Sequence, residues 1–206
     1  MTQIPDSEPP EPARVAPPDA ELVADPLALR AVAHPMRIKL IGMVGLAGTL
    51  TASEAARQLD STAAVTAYHL RTLAKYGFVE DAGGASARER PWRLTQRAVS
   101  FSWDDDDPAG RALTRVAQDG WFERVRSYRE LKDQYPQEVR DASDASESVL
   151  MATPAEVKEL TEQIHELLRP FRERIDPARR PPGIVPMEIL VFTHPVVPPG
   201  YSTPTD

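Results

Sequence analysis

The run TASEAARQLDSTAAVTAYHLRTLAKYG, residues 51–77, constrains this chain more than any other. Thr51 and Glu54 have the spacing of a capping box, so a helix begins there. Ala55, Ala56 and Leu59 supply its inner face. Asp60 and Ser61 make a tight break, and Ser61 or Thr62 caps a further helix over about residues 62–76. The inner stripe of that helix is Thr66, Leu70 and Leu73, and Gly77 stops it. The result is a pair of short helices joined by a turn.

Ser61, Thr62, Val65, Tyr68, His69, Arg71, Thr72 and Lys75 lie off the inner stripe. They supply donors, aromatic surface and cations, as expected of a recognition helix entering a DNA major groove. His69 adjoins the inner residue Leu70, so packing on a neighbouring helix is an alternative for it. An ordinary solvated helix face is the alternative for the whole set. The next segment, FVEDAGGASARERPWRLT, reads as strand, Gly83-Gly84 loop and strand, with Trp92 and Leu94 alternating on the return. Arg88, Arg90 and Arg93 make this hairpin basic, which suits a wing reaching phosphates or the minor groove.

Charge is distributed in the same sense. Residues 1–26 carry one basic and six acidic side chains, a net −5. Residues 27–100 carry ten basic and five acidic, a net +5, and residues 101–206 carry thirteen and twenty, a net −7. A basic segment inside an acidic protein attracts polyanions, although chance unevenness gives the same count.

Ahead of the helix pair, residues 1–25 are Pro-rich, acidic and poor in aromatics, the composition of a disordered tail. Pro26 opens one short helix and Pro35 a second, because proline suits a first turn. Ile38, Leu40, Ile41 and Val44 form the buried face of the second, and Gly45 and Gly48 end it.

The second half is less patterned. Asp104–Asp107 before Pro108 reads as a solvated break, with a hard-cation site as the alternative. A helix is expected over residues 109–135, with Leu113, Val116, Trp121, Val125, Tyr128 and Leu131 near one stripe and Gly120 weakening it. PQEVRDASDASES then reads as a polar connection. Thr153 and Glu156 repeat the capping-box spacing, and Pro154 suits the first turn of a further helix. Its stripe is Val157, Leu160, Ile164, Leu167, Phe171 and Ile175, and Pro170 should kink or end it. Val157, Leu160, Ile164 and Leu167 are the candidate dimerisation residues, with intramolecular core as the alternative. The run MEILVFTHPVV suggests a buried terminal strand, and residues 195–206 a flexible tail.

The segments ALRAVAHPMRIKLIGMV, TASEAARQL, AYHLRTLAKYGFVED and RERPWRLT resemble the winged-helix domain of ArsR-like bacterial transcription regulators, closest to cysteine-free actinobacterial members. The resemblance covers about residues 26–95. It implies a homodimer on a partly palindromic operator. Ala67 stands where such proteins often place a serine near DNA. With no cysteine in the chain, thiolate-based arsenic sensing is excluded.

Other chemistries find little support. Without cysteine there is no disulfide or thiolate metal site. No run of apolar residues is long enough to span a bilayer, and no signal-peptide profile opens the sequence, so a cytoplasmic protein is expected. His34 before Pro35 suits a structural hydrogen bond. Glu162 with His165 or Glu166 could contribute to a metal site between helices, but one His on the helix makes a surface face the stronger reading, and His194 lies in the terminal run. No nucleophile elbow, phosphate loop or dinucleotide fingerprint occurs, so neither an enzyme nor a cofactor is expected.

The expected fold is therefore α+β. It has a tail over 1–25, a winged helix-turn-helix over 26–100, and a helical dimerisation region with a terminal strand over 101–194. The expected partners are double-stranded DNA and a second copy of the chain, with any effector unnamed, and the expected action is repression. A winged-helix protein–protein adaptor that does not read DNA sequence is the alternative.

Overall fold

The computed structural model describes residues 21–23, 25–83, 90–95, 97–98 and 107–197. Its fold is α+β: a helix-turn-helix with a small antiparallel sheet, followed by further helices. The elements in order are β1 (Glu21–Leu22), α1 (Pro26–Val32), α2 (Pro35–Ala47), β2 (Leu50–Thr51), α3 (Ala52–Gln58), α4 (Ala63–Lys75), β3 (Val79–Asp81), β4 (Pro91–Leu94), β5 (Arg97–Ala98), α5 (Pro108–Leu131), α6 (Gln137–Asp141) and α7 (Pro154–Arg172).

The helix starts follow the capping chemistry. Asp25 accepts the Leu27 and Ala28 N–H groups at 3.2 Å, with Pro26 at the first helical position. The Thr51–Glu54 capping box is formed in both directions, and its hydrogen bonds hold the Glu54 carboxyl below the usual range. Asp60 takes a positive φ of 46° at the turn. Thr62 then caps α4 by accepting the Val65 N–H at 3.3 Å. At its far end Gly77, with φ 77°, allows a Schellman closure: Phe78 N–H bonds Leu73 O and Gly77 N–H bonds Ala74 O, both at 3.0 Å.

The core lies where these elements converge. Leu40 and Val44 of α2, Leu70 and Leu73 of α4, Val79 of β3 and Leu113 of α5 are fully buried. Each such aliphatic side chain contributes about 1.5–3 kcal/mol on burial. Thr66 is also fully buried, and its hydroxyl donates to Thr62 O at 3.0 Å. The sheet order is β2-β4-β3, with Val79 opposite Leu94 and Asp81 opposite Trp92, so the β3–β4 hairpin is the wing. Ile38 and Ile41 pack half-buried on the core, and Gly45 lies within α2 rather than ending it, leaving Gly48 as the cap.

Residues 173–180 supply something unforeseen. α2 has no basic residue in its last turn. The Arg180 guanidinium fills that role, donating to Gly45 O at 2.9 Å and Leu46 O at 2.6 Å while also bonding Arg174 O and Ile175 O. Pro177 covers Gly48, whose φ of 79° and lack of a side chain permit the approach. A guanidinium here satisfies orphan carbonyls and complements the helix dipole.

The domain boundaries therefore differ from those expected of the sequence. The chain forms two compact units: Met1–Gly120 with Arg169–Ile184, and Trp121–Leu168 with Val185–Asp206. The expected division at residue 100 fails because Ala109, Leu113 and Ala117 of α5 are buried in the first unit and residues 173–180 return to it. Residues 21–23, expected within the tail, join the fold: β1 pairs in parallel with β5, and Val23 is buried. Residues 1–20, 104–106 and 198–206 lie outside the described residues.

In the second unit no described side chain is buried. Phe192 packs on Trp121 and Phe122 at ring separations of 5.8 and 5.7 Å, and Arg124 binds Glu188. The expected stripe of α5 holds only in part: Leu113 is buried, Val116, Trp121 and Tyr128 are half-buried, and Val125 and Leu131 are exposed. The expected polar connection contains α6, residues Gln137–Asp141. Pro170 sits inside α7 without ending it, and a 3-10 turn continues to Ile175. The expected buried terminal strand does not form. Residues 185–195 take no regular structure and Met187 and Ile189 are exposed, because no strand edge within the described chain receives their backbone groups.

Candidate nucleic-acid interface

α4 turns Thr66, Leu70 and Leu73 inward, and its outer face follows from helical geometry. Ala64, Tyr68, Arg71 and Lys75 form one exposed ridge, with Thr62 and Val65 exposed at the entrance. Tyr68 is 61% exposed, with one edge of its ring against His69 at 5.3 Å. Thr72 is half-buried and donates to Tyr68 O at 3.0 Å, while Ser61 is half-buried in the turn. A search of the sequence for polar and charged groups misses Ala64, although its spacing from Tyr68 places it on the ridge.

His69 is not on the ridge. It is half-buried, and its ring packs against His34 with ring centres 4.7 Å apart, the packing given above as the alternative for it. A residue beside the innermost leucine sits on the shoulder of the helix, and the shoulder here meets α2. Burial, the neighbouring His34 and the Arg37 guanidinium lower the His69 pKa. His34 is lowered by burial and Arg37, and its Nδ1 accepts the Met36 N–H at 3.1 Å as the cap of α2. The structural role expected of His34 is thus observed.

The wing is less cationic than its composition suggests. Arg90 pairs with Asp81 at 2.8 Å and Arg93 with Glu80 at 2.9 Å, all four groups being about half exposed. Arg88 lies outside the described residues. Beside the wing, Ser53, Arg57, Ser61 and Pro91 border an open hollow at the helix turn. Arg57 is exposed on α3, the helix that crosses the backbone in this motif. The inner-face pattern of α3 does not reveal this cation; the outer face of the same helix does.

Of the expected dimerisation residues, Val157 and Ile164 are half-buried and Leu160 and Leu167 exposed, Leu167 by 73%. The Thr153–Glu156 capping box at the start of α7 is formed, which lowers the Glu156 pKa through its hydrogen bonds to Thr153. Among the described residues no three His, Asp or Glu side chains converge on a metal position, and no helix is long and apolar enough to cross a membrane.

Two helices at a capped turn, an outward second helix and an adjoining hairpin define a DNA-binding regulator of the helix-turn-helix class. Residues 32–82 match the family model described as a helix-turn-helix domain, a span running from the end of α1 to the end of β3. A comparison with curated proteins found none that matches the chain.

Proposed function

We propose that this protein is a sequence-specific transcriptional repressor that acts as a homodimer on a partly palindromic operator, in the manner of the ArsR-like regulators it resembles. The observation that carries this reading is the exposed ridge Ala64–Tyr68–Arg71–Lys75 on α4. Tyr68 and Arg71 read base edges, Thr62 and Lys75 meet the backbone at the two ends, and Arg57 adds a phosphate contact from α3. Arg90 and Arg93 exchange their carboxylate partners for phosphates on binding, and Arg88 joins them. The protein acts by occupancy rather than catalysis, without a cofactor, in the compartment that holds the chromosome.

A second copy supplies the missing cover of α7. Leu160, Leu167 and Phe171 of its stripe are exposed in the single chain and Val157 and Ile164 only half-buried, and a second unit with no buried side chain among its described residues lacks a core there. Pairing two chains sets two α4 helices at half-sites about one DNA turn apart.

The ion-paired wing favours one other reading, a protein–protein adaptor. Selection of bound fragments from genomic DNA separates the two. Recovery of a shared motif, with affinity falling steeply as salt rises, supports the repressor. Retention without a motif or salt dependence supports the adaptor.

A further inference from the structure

The contact between α2 and α4 brings together three groups able to carry positive charge. His34 Nδ1 accepts the Met36 N–H, so that nitrogen bears no proton. The His69 ring lies 4.7 Å from the His34 ring, tilted by 43°. His69 Nδ1 and Arg37 Nε are both shut off from solvent with no hydrogen-bond partner. From α4, Tyr68 stands edge-on to His69 at 5.3 Å, and Tyr68 and Tyr76 are the other titratable groups acting on Arg37. No carboxylate is among the groups acting on either imidazole.

We propose that His34 and His69 form a proton-operated latch beneath the recognition helix: neutral rings seat α4 on α2, and protonation releases it. A proton on His34 Nδ1 removes the acceptor that caps α2. A charge on either ring faces Arg37 and the other ring with no carboxylate to offset it. Release displaces Tyr68, which adjoins His69 and carries the exposed ridge.

The direction follows from linkage. Both rings sit below the ordinary histidine value of 6.5, so the unseated chain binds protons first as pH falls. Seating is complete above that value and is lost as pH drops below it. The consequence for DNA rests on the function proposed above; the seating itself does not.

The test follows the imidazole and backbone signals of the full chain by NMR from about pH 8 to about pH 5, the span over which histidine titrates. The amides of Met36 and of residues 67–73 should shift in step with the His34 and His69 rings. Genomic fragments selected at about pH 7.5 should then dissociate, by about tenfold for each pKa unit that seating imposes on a ring. The double variant His34→Asn, His69→Phe keeps a capping acceptor and a ring but takes no proton there, and should bind those fragments without this response. Amides of α4 that stay still while both rings titrate would overturn the latch. So would a double variant that retains the wild-type response. Should the amides move while the fragments stay bound, the link to DNA is refuted and the latch stands. Should no fragment be retained at any pH, the repressor reading fails, and the amide shifts alone decide the latch.

Discussion

Arg90 Nε lies 2.8 Å from Asp81 Oδ2, so a wing cation is already engaged before any polyanion arrives. Exposed pairs of this kind contribute only about 0–1 kcal/mol, which a phosphate can outcompete. Arg88→Ala with Arg90→Ala should weaken binding to all sequences, with the slope of log K against log salt falling by about 0.9 for each phosphate no longer neutralised. Asp81→Asn, which frees Arg90, should strengthen binding at low salt. Titrations at several salt concentrations check both, and an unchanged slope in the double variant would remove the wing from the interface.

Specificity should reside on the α4 ridge. Tyr68→Ala or Arg71→Ala should change base preference at a few operator positions, by about 1–3 kcal/mol for each base edge no longer read. Fragment selection with each variant measures this directly. A uniform loss over all sequences would make these residues phosphate contacts.

The face of α7 should govern assembly. Leu160→Asp with Ile164→Asp places two charges in the seam, and unpaired buried charge is costly. Neither residue is buried in the single chain, so a folded monomer with much weaker operator binding is expected. Light scattering and circular dichroism decide it. A double variant that remains dimeric would place the contact elsewhere.

Arg180→Ala should destabilise the first unit. It leaves the carbonyls of Gly45 and Leu46 without their guanidinium donor. Hydrogen bonds to a charged group contribute about 1.5–3 kcal/mol, and partial exposure places the expected loss near the lower figure. Urea unfolding should show a lower midpoint with an unchanged slope. Arg179→Ala, whose partners Glu173 and Asp176 are local and exposed, should leave the midpoint nearly unmoved.

Much of the helix pair is legible in the sequence because its signals are local. Thr51 with Glu54, Thr62 and Gly77 act within a turn of themselves, and Thr66, Leu70 and Leu73 repeat at the helical period. What the sequence conceals depends on partners distant along the chain. Periodicity locates His69 on a shoulder of the helix without revealing that His34 stands against it. The alternation of Ile189, Val191 and Thr193 with Leu190 and Phe192 marks two faces but no strand edge to pair with. The charge count of the wing includes Arg90 and Arg93 without the carboxylates across the ladder. Nothing in the sequence near Gly48 announces that the cap of α2 arrives with Arg180.

That last contact sets an order of events on the ribosome. When Leu94 has been made, the residues of α2, α3, α4 and β4 all exist, yet the Arg180 donor for Gly45 O and Leu46 O does not. At about 5–20 residues per second, the wait until Arg180 is on the order of ten seconds. α7 is synthesised within that interval. A nascent chain therefore carries α7 complete before Arg180 arrives to close the unit that holds α4.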